Sequence, residues 1–252
     1  MVAFGSIALF RFLLPVFRSA WHGLRVERTE QIAPGVFSLT LTGRDLSRLR
    51  TAGGQYAIWR FWTGATWWHA HPISFSAVPT DTTARITVRD LGRGSAAIGR
   101  VRPGTRVSLE GPYGAFTDEH RVAPKLAVIA AGIGITPIRS LLEDSPLHPG
   151  EATVILRGSS LDESYLWNEI GALHSMRGNT VYTMLGARPP GLSTWMSAEA
   201  LARGVTISSA LPELLHSDLY VCGPRSWADL VVRDARAAGL PDAQIHVERF
   251  DS

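Results

Sequence analysis

The sequence predicts two joined folds, an antiparallel β-barrel followed by a doubly wound parallel-sheet α/β domain. Three observations predict them. Short segments with period-2 alternation, rich in β-branched and aromatic residues, recur from about residue 24 to 110 without a long helix. A continuous apolar run, LAVIAA (126–131), then opens a series in which strand and helix patterns alternate. Between them, residues 118–124 interrupt the pattern with polar side chains and a proline. The expected organisation is an N-terminal segment (1–22), a barrel (23–118) and an α/β domain (119–252).

The N-terminal segment starts with an apolar run, VAFGSIALF (2–10). It is shorter than the roughly 20 residues that span a bilayer. It lacks the charged start and the small-residue cleavage site of a secretory signal. Arg11, Arg18 and Arg25 recur at seven-residue spacing among Phe4, Phe10, Phe12, Phe17 and Trp21. That pattern suits contact with a membrane surface, and a hydrophobic arm packed on the barrel is the alternative. Pro15 argues against one continuous helix.

In the barrel the strand patterns are VFSLTLT (36–42), QYAIWRF (55–61), HPISFSA (71–77), ARITVRD (84–90) and TRVSLE (105–110). In the second half they are LAVIAA, TVILRG (153–158), TVYTML (180–185), DLYVCG (218–223) and QIHVER (244–249). Helical patterns fall at IRSLLED (138–144) and over 163–176, 197–203 and 226–238.

Composition excludes other classes. Of 252 residues, 45% are hydrophobic and 19% charged, so the chain is neither disordered nor fibrous. Cys222 is the only cysteine, which excludes an internal disulfide, a cluster held by four thiolates and a Cys-rich zinc site. Electron chemistry must then come from a bound cofactor or a partner, and no metal site is expected. The net charge is +3, divided as +6 over residues 1–120 and −3 over 121–252. No basic stripe with interleaved aromatics appears, so nucleic acid is not an expected partner.

Three regions carry chemistry. Gly132-Ile133-Gly134-Ile135-Thr136-Pro137 follows a buried strand and opens a helix. Glycines admit a pyrophosphate close to the backbone, and the helix start supplies unpaired N–H groups. Pro137 suits a first helical turn because it has no N–H to satisfy. This loop departs from G-x-G-x-x-G at its third glycine, and no acidic residue stands about 20 residues on to hold a ribose 2′-OH. Arg157, Ser159 and Ser160 follow the next strand instead. They suit a 2′-phosphate and point to NADPH; a solvated strand end is the alternative reading of Arg157.

In the barrel, His71-Pro72-Ile73-Ser74 begins one strand and Leu91-Gly92-Arg93-Gly94-Ser95 ends another. Gly94 and Ser95 offer N–H groups and a hydroxyl to a second pyrophosphate. Two pyrophosphate sites on one chain suggest two dinucleotides, one of them a redox carrier. Cys222-Gly223-Pro224 ends a central strand, where the thiol either faces the crevice or fills the core as a small hydrophobe. Phe250 either stacks on a flat ring or packs in the core.

In this order, over roughly residues 24–252, the motifs resemble the ferredoxin–NADP reductase superfamily. HPIS resembles its flavin motif, in the form seen in ferric reductases and NADPH oxidases. LGRGS resembles the flavin pyrophosphate loop and AGIGITP the pyridine-nucleotide loop. YVCGP and HVERF resemble the nicotinamide pocket and the C-terminal aromatic. Trp59-Arg60-Phe61, Trp67-Trp68 and the basic N-terminus bring the likeness nearest to the soluble arm of bacterial ferric-reductase-like membrane proteins.

The resemblance implies an FAD-binding barrel and an NADP-binding α/β domain. Ser74 would hydrogen-bond near flavin N5, with His71, Pro72, Ile73 and Arg89 at the flavin and Gly92, Gly94 and Ser95 at its pyrophosphate. Gly132, Gly134, Ile135, Thr136 and Pro137 would hold the NADPH pyrophosphate. Cys222, with Gly223 and Pro224, would sit beside nicotinamide C4. Glu248 would assist near the flavin, and Phe250 would cover the isoalloxazine until nicotinamide displaces it. Two departures stand out: Ile73 replaces an aromatic residue, and Asp251 and Ser252 follow Phe250.

The implied activity is hydride transfer from NADPH, or NADH, to FAD, then single electrons to an acceptor. That acceptor is a haem in a membrane protein, ferric iron or a soluble electron carrier. The implied location is the cytoplasm, at the inner face of the membrane. The alternative is a non-catalytic flavin- or nucleotide-binding regulatory subunit of a membrane complex.

Overall fold

β-Branched and aromatic residues alternate with polar ones along the first half of the chain, and there the computed structural model has six strands. The structure describes residues 19–64 and 69–250. Residues 1–18, most of the expected membrane-contacting segment, therefore lie outside it, as do Trp67, Trp68, Asp251 and Ser252. Two units divide the chain, Met1–Gly114 and Ala115–Ser252. Among the described residues no helix is long and apolar enough to cross a membrane.

The first unit contains β1 (Arg25–Ala33), β2 (Val36–Thr42), β3 (Tyr56–Phe61), β4 (His71–Ala77), β5 (Thr83–Arg89), helix α1 (Arg93–Ile98) and β6 (Val107–Tyr113). The sheet order is β1-β2-β5-β4-β3-β6, with every pairing antiparallel. The barrel closes where Arg25 bridges Arg106, and where Val107 donates to the Leu24 carbonyl and Val26 to that of Thr105. Inside lie Leu39, Leu41, Trp59, Phe61, Phe75 and Ile86, all fully buried. Strand β1 has no counterpart among the strands expected from sequence. Val26 is its only buried residue, so it carries almost none of the alternation that marks the others.

The second unit contains β7 (Lys125–Ala131), α2 (Ile135–Asp144), β8 (Ala152–Gly158), α3 (Trp167–Arg177) and β9 (Thr180–Leu185). It continues with α4 (Ala198–Ala202), α5 (Ile207–Ala210), β10 (Ser217–Pro224), α6 (Arg225–Ala237) and β11 (Ile245–Phe250). The strands lie parallel in the order β11-β10-β7-β8-β9. The chain runs outward from β7 through β8 and β9, then returns to the other side of β7. That reversal puts the topological switch point between β7 and β10, where such sheets bind ligands. The helix expected over 163–176 starts later, at Trp167, because Leu166 adopts a left-handed conformation with φ 63°. Glu163 instead ends a separate 3₁₀ turn, Leu161–Glu163.

Buried Asp218 ties β10 to its neighbours. Its carboxylate accepts the N–H groups of Val122 (3.0 Å) and Ala123 (2.9 Å) and lies 2.7 Å from His246 Nε2 on β11. His246 also stacks on Tyr220 at 4.4 Å. These contacts hold β11 in register, so that Glu248 pairs with Cys222 and Phe250 with Pro224.

Candidate functional site

Two glycine turns, one in each unit, are the centres of the site residues. In the second unit, Ala131 ends β7 and Gly132–Gly134 forms a 3₁₀ turn leading into α2. Gly132 adopts φ 54°, which favours glycine. Gly134 is required by space: a Cβ there would lie 2.3 Å from the Cys222 carbonyl oxygen and 2.7 Å from the Gly223 nitrogen. The loop is thus pressed directly onto the end of β10. Gly134 begins α2 without a side-chain cap, the Ile135 N–H donates back to the Gly132 carbonyl, and Ile135 and Pro137 are buried. Thr136 Oγ1 is buried without a hydrogen-bond partner.

Cys222 is fully buried, and its thiol is pushed well above its usual pKa by burial and by the nearby charge of Glu248. It is a neutral thiol at physiological pH. Glu248 and Phe250 are partly buried on β11. The structure therefore brings Gly132, Gly134, Thr136, Cys222, Gly223 and Glu248 together at the switch point.

In the first unit, His71 starts β4 and Ser74 is buried in it, opposite Tyr56 of β3. Ser74 Oγ and His71 Nε2 are buried without partners. Burial and neighbouring His69 lower the His71 pKa. Gly94 faces the His71 ring, since a Cβ at 94 would meet His71 Cε1 at 3.1 Å. The loop before α1 depends on Gly92, whose φ is 148°. Arg89 is half-buried at the end of β5, and Pro72 is exposed. Ile73 packs on the barrel core, and its carbonyl accepts the Trp59 indole N–H at 2.9 Å. Tyr56, which no sequence motif marks, and Tyr113, within the Gly111-Pro112-Tyr113-Gly114 turn that the sequence offers as the close of the barrel, have ring centroids 5.9 Å apart beside Ser74.

The Ser95 hydroxyl accepts the Leu91 N–H at 2.7 Å and donates to the Gly92 carbonyl, closing its own loop. One expectation is corrected. Arg157 is neither a solvated strand end nor a cation offered to a phosphate. Only 4% exposed, it donates to the carbonyls of Trp195, Gly158, Met184 and Gly186. Its direction along β8 turns the guanidinium inward, where these carbonyls need donors. Glu163, missed in the sequence, receives both Ser159 donors, the N–H at 2.7 Å and the hydroxyl at 2.8 Å.

Among known proteins, ferredoxin–NADP reductase B of Sorangium cellulosum is 33% identical over 175 residues, covering 64% of this chain and 68% of the relative. A flavohemoprotein of Xylella fastidiosa is 28% identical over 206 residues, covering 78% of this chain and 50% of the relative. The chain thus spans about half the length of the first curated relatives it matches. The flavohem-like FAD/NAD binding domain of nitric oxide dioxygenase from Vibrio cholerae shares the fold, with a TM-score of 0.73 at 22% identity. That match covers 92% of this chain and 99% of the other. No family model matches the chain.

Proposed function

The chain belongs to the ferredoxin–NADP reductase family, and on that footing we propose that it is a flavoprotein reductase that takes hydride from NAD(P)H and passes electrons to an acceptor protein or ferric iron. The observation that carries this is the position of buried polar atoms without partners. His71 Nε2, Ser74 Oγ and Thr136 Oγ1 lie within the two motifs expected to hold FAD and the nicotinamide dinucleotide. A buried polar atom without a partner costs about 1–3 kcal/mol, so a ligand that satisfies it is bound more tightly. The glycines at 94 and 134 let these loops lie directly against His71 and the end of β10, which keeps both motifs compact.

Bound FAD supplies the conversion of a two-electron hydride into single electrons. The chain's own residues position it. Ser74 donates toward the flavin ring, and His71 with the Gly94 backbone holds the phosphates. Tyr56 and Tyr113 supply the aromatic surface that Ile73 lacks. In the second unit, the Gly132–Gly134 turn and Thr136 bind the dinucleotide pyrophosphate. Cys222 offers a neutral, buried thiol to the nicotinamide, kept protonated chiefly by its burial, with the nearby Glu248 charge adding to the effect.

The acceptor is a haem-containing membrane protein or a soluble electron carrier, met on the cytoplasmic side. Residues 1–22 contribute membrane contact. Trp21, 54% exposed beneath Arg44, supports that reading, because an aromatic–arginine pair suits the lipid interface.

The test is purification with added FAD, followed by NAD(P)H-dependent reduction of ferricyanide. Stoichiometric flavin and turnover are expected. In Cys222→Ser, about tenfold lower turnover is expected with unchanged flavin content. Flavin retention without turnover would leave only a binding module. Flotation with anionic vesicles tests the membrane contact, and protein remaining with the soluble fraction would refute it.

A further inference from the structure

In doubly wound sheets the group at the end of the strand next to the glycine turn reads the ribose 2′ position of a bound dinucleotide. Here the glycine turn follows β7, and β8 is its neighbour on the side away from β10. In this chain that place belongs to Ser159, whose N–H and hydroxyl both point to Glu163 Oε2 at 2.7 and 2.8 Å. The carboxylate is held by its own 3₁₀ turn, in which Glu163 donates to the Ser160 carbonyl and Ser164 to that of Leu161. The donors best suited to phosphate oxygens are therefore already satisfied by an anion. Arg157, the nearest cation in sequence, is committed to four backbone carbonyls. Arg188, exposed and close enough to lower the Arg157 pKa, is a further positive charge nearby.

A 2′-phosphate carries roughly −1.5 to −2 charges near neutral pH, and like charges repel. It would have to displace Glu163 to reach Ser159. A ribose 2′-OH is neutral and can donate to the carboxylate without moving it.

We propose that Glu163 selects NADH over NADPH, holding the ribose 2′-OH and denying the Ser159 donors to a 2′-phosphate. This rests on the reading that the second unit binds NAD(P)H. The spacing rule missed the residue because a turn beyond β8, not the strand end itself, delivers the carboxylate.

The test titrates the full chain by calorimetry with ADP-ribose and with 2′-phospho-ADP-ribose, neither of which needs the flavin. ADP-ribose should bind at least about tenfold more tightly. Glu163→Gln should bring the two within about threefold, chiefly by tightening the phosphorylated probe. Glu163→Ser serves as a second variant should the first lose its fold, and should move the ratio the same way. The kcat/KM ratio for NADH over NADPH should follow. Equal or reversed preference in the wild type, or an unchanged ratio in both variants, would overturn the assignment while leaving nucleotide binding intact. If neither probe binds, both the assignment and the nucleotide-binding reading beneath it fail.

Discussion

At the residue scale, Arg157 is the most informative position. From sequence it is a cation after a strand in a nucleotide-binding fold, so a phosphate is the natural partner. In the structure it is a buried crosslink joining β8, the end of β9 and the segment around Trp195. Side-chain identity was legible; its direction was not, because nothing local to Arg157 reveals the carbonyls of residues 184, 186 and 195. Arg157→Leu leaves those carbonyls without donors and is expected to lower stability by about 3 kcal/mol. Urea unfolding checks this, and a loss below about 0.5 kcal/mol would show the crosslink to be dispensable. The Ser95 hydroxyl likewise bonds within its own loop, a direction the sequence does not carry. By contrast the turn at Gly132 and Gly134 was legible, because a positive φ and close approach to β10 both require glycine.

At the element scale, the α2 turn and helix α3 carry the sharpest tests. Gly134→Ala sets a methyl group 2.3 Å from the Cys222 carbonyl oxygen, so loop or strand must shift. The expected cost is about 1–3 kcal/mol, together with loss of nucleotide affinity. Thermal melting and ADP-ribose titration measure the two. Helix α3 buries His174, 1% exposed, with neither ring nitrogen hydrogen-bonded. Burial, with a smaller effect from Arg177, lowers its pKa from 6.5 to about 4. The unfolded chain therefore takes a proton below pH 6.5 that the folded chain refuses until about pH 4. Stability is fully present above this window and falls by up to about 1.4 kcal/mol per pH unit as pH drops through it. Urea midpoints at neutral and mildly acidic pH should show this slope, and His174→Leu should flatten it. Strand β1 explains why one element escaped the sequence: exposed and charged, with only Val26 buried, it looks like a loop.

At the scale of the whole molecule, the order of folds was legible because buried strands differ from half-buried ones. LAVIAA, apolar throughout, becomes central β7, whereas YAIWRF alternates and becomes barrel strand β3. The candidate site was legible as motifs, yet its selectivity was not, since Glu163 acts through a turn that spacing does not predict. The two glycine turns, each with a buried polar atom awaiting a partner, make one central claim: the chain holds a flavin that a nicotinamide dinucleotide reduces. Anaerobic rapid mixing of the FAD-loaded chain with NADH tests it most directly. The flavin's visible absorbance should bleach in a single turnover. Persistent oxidised flavin with both NADH and NADPH, in a protein shown to be folded, would contradict it.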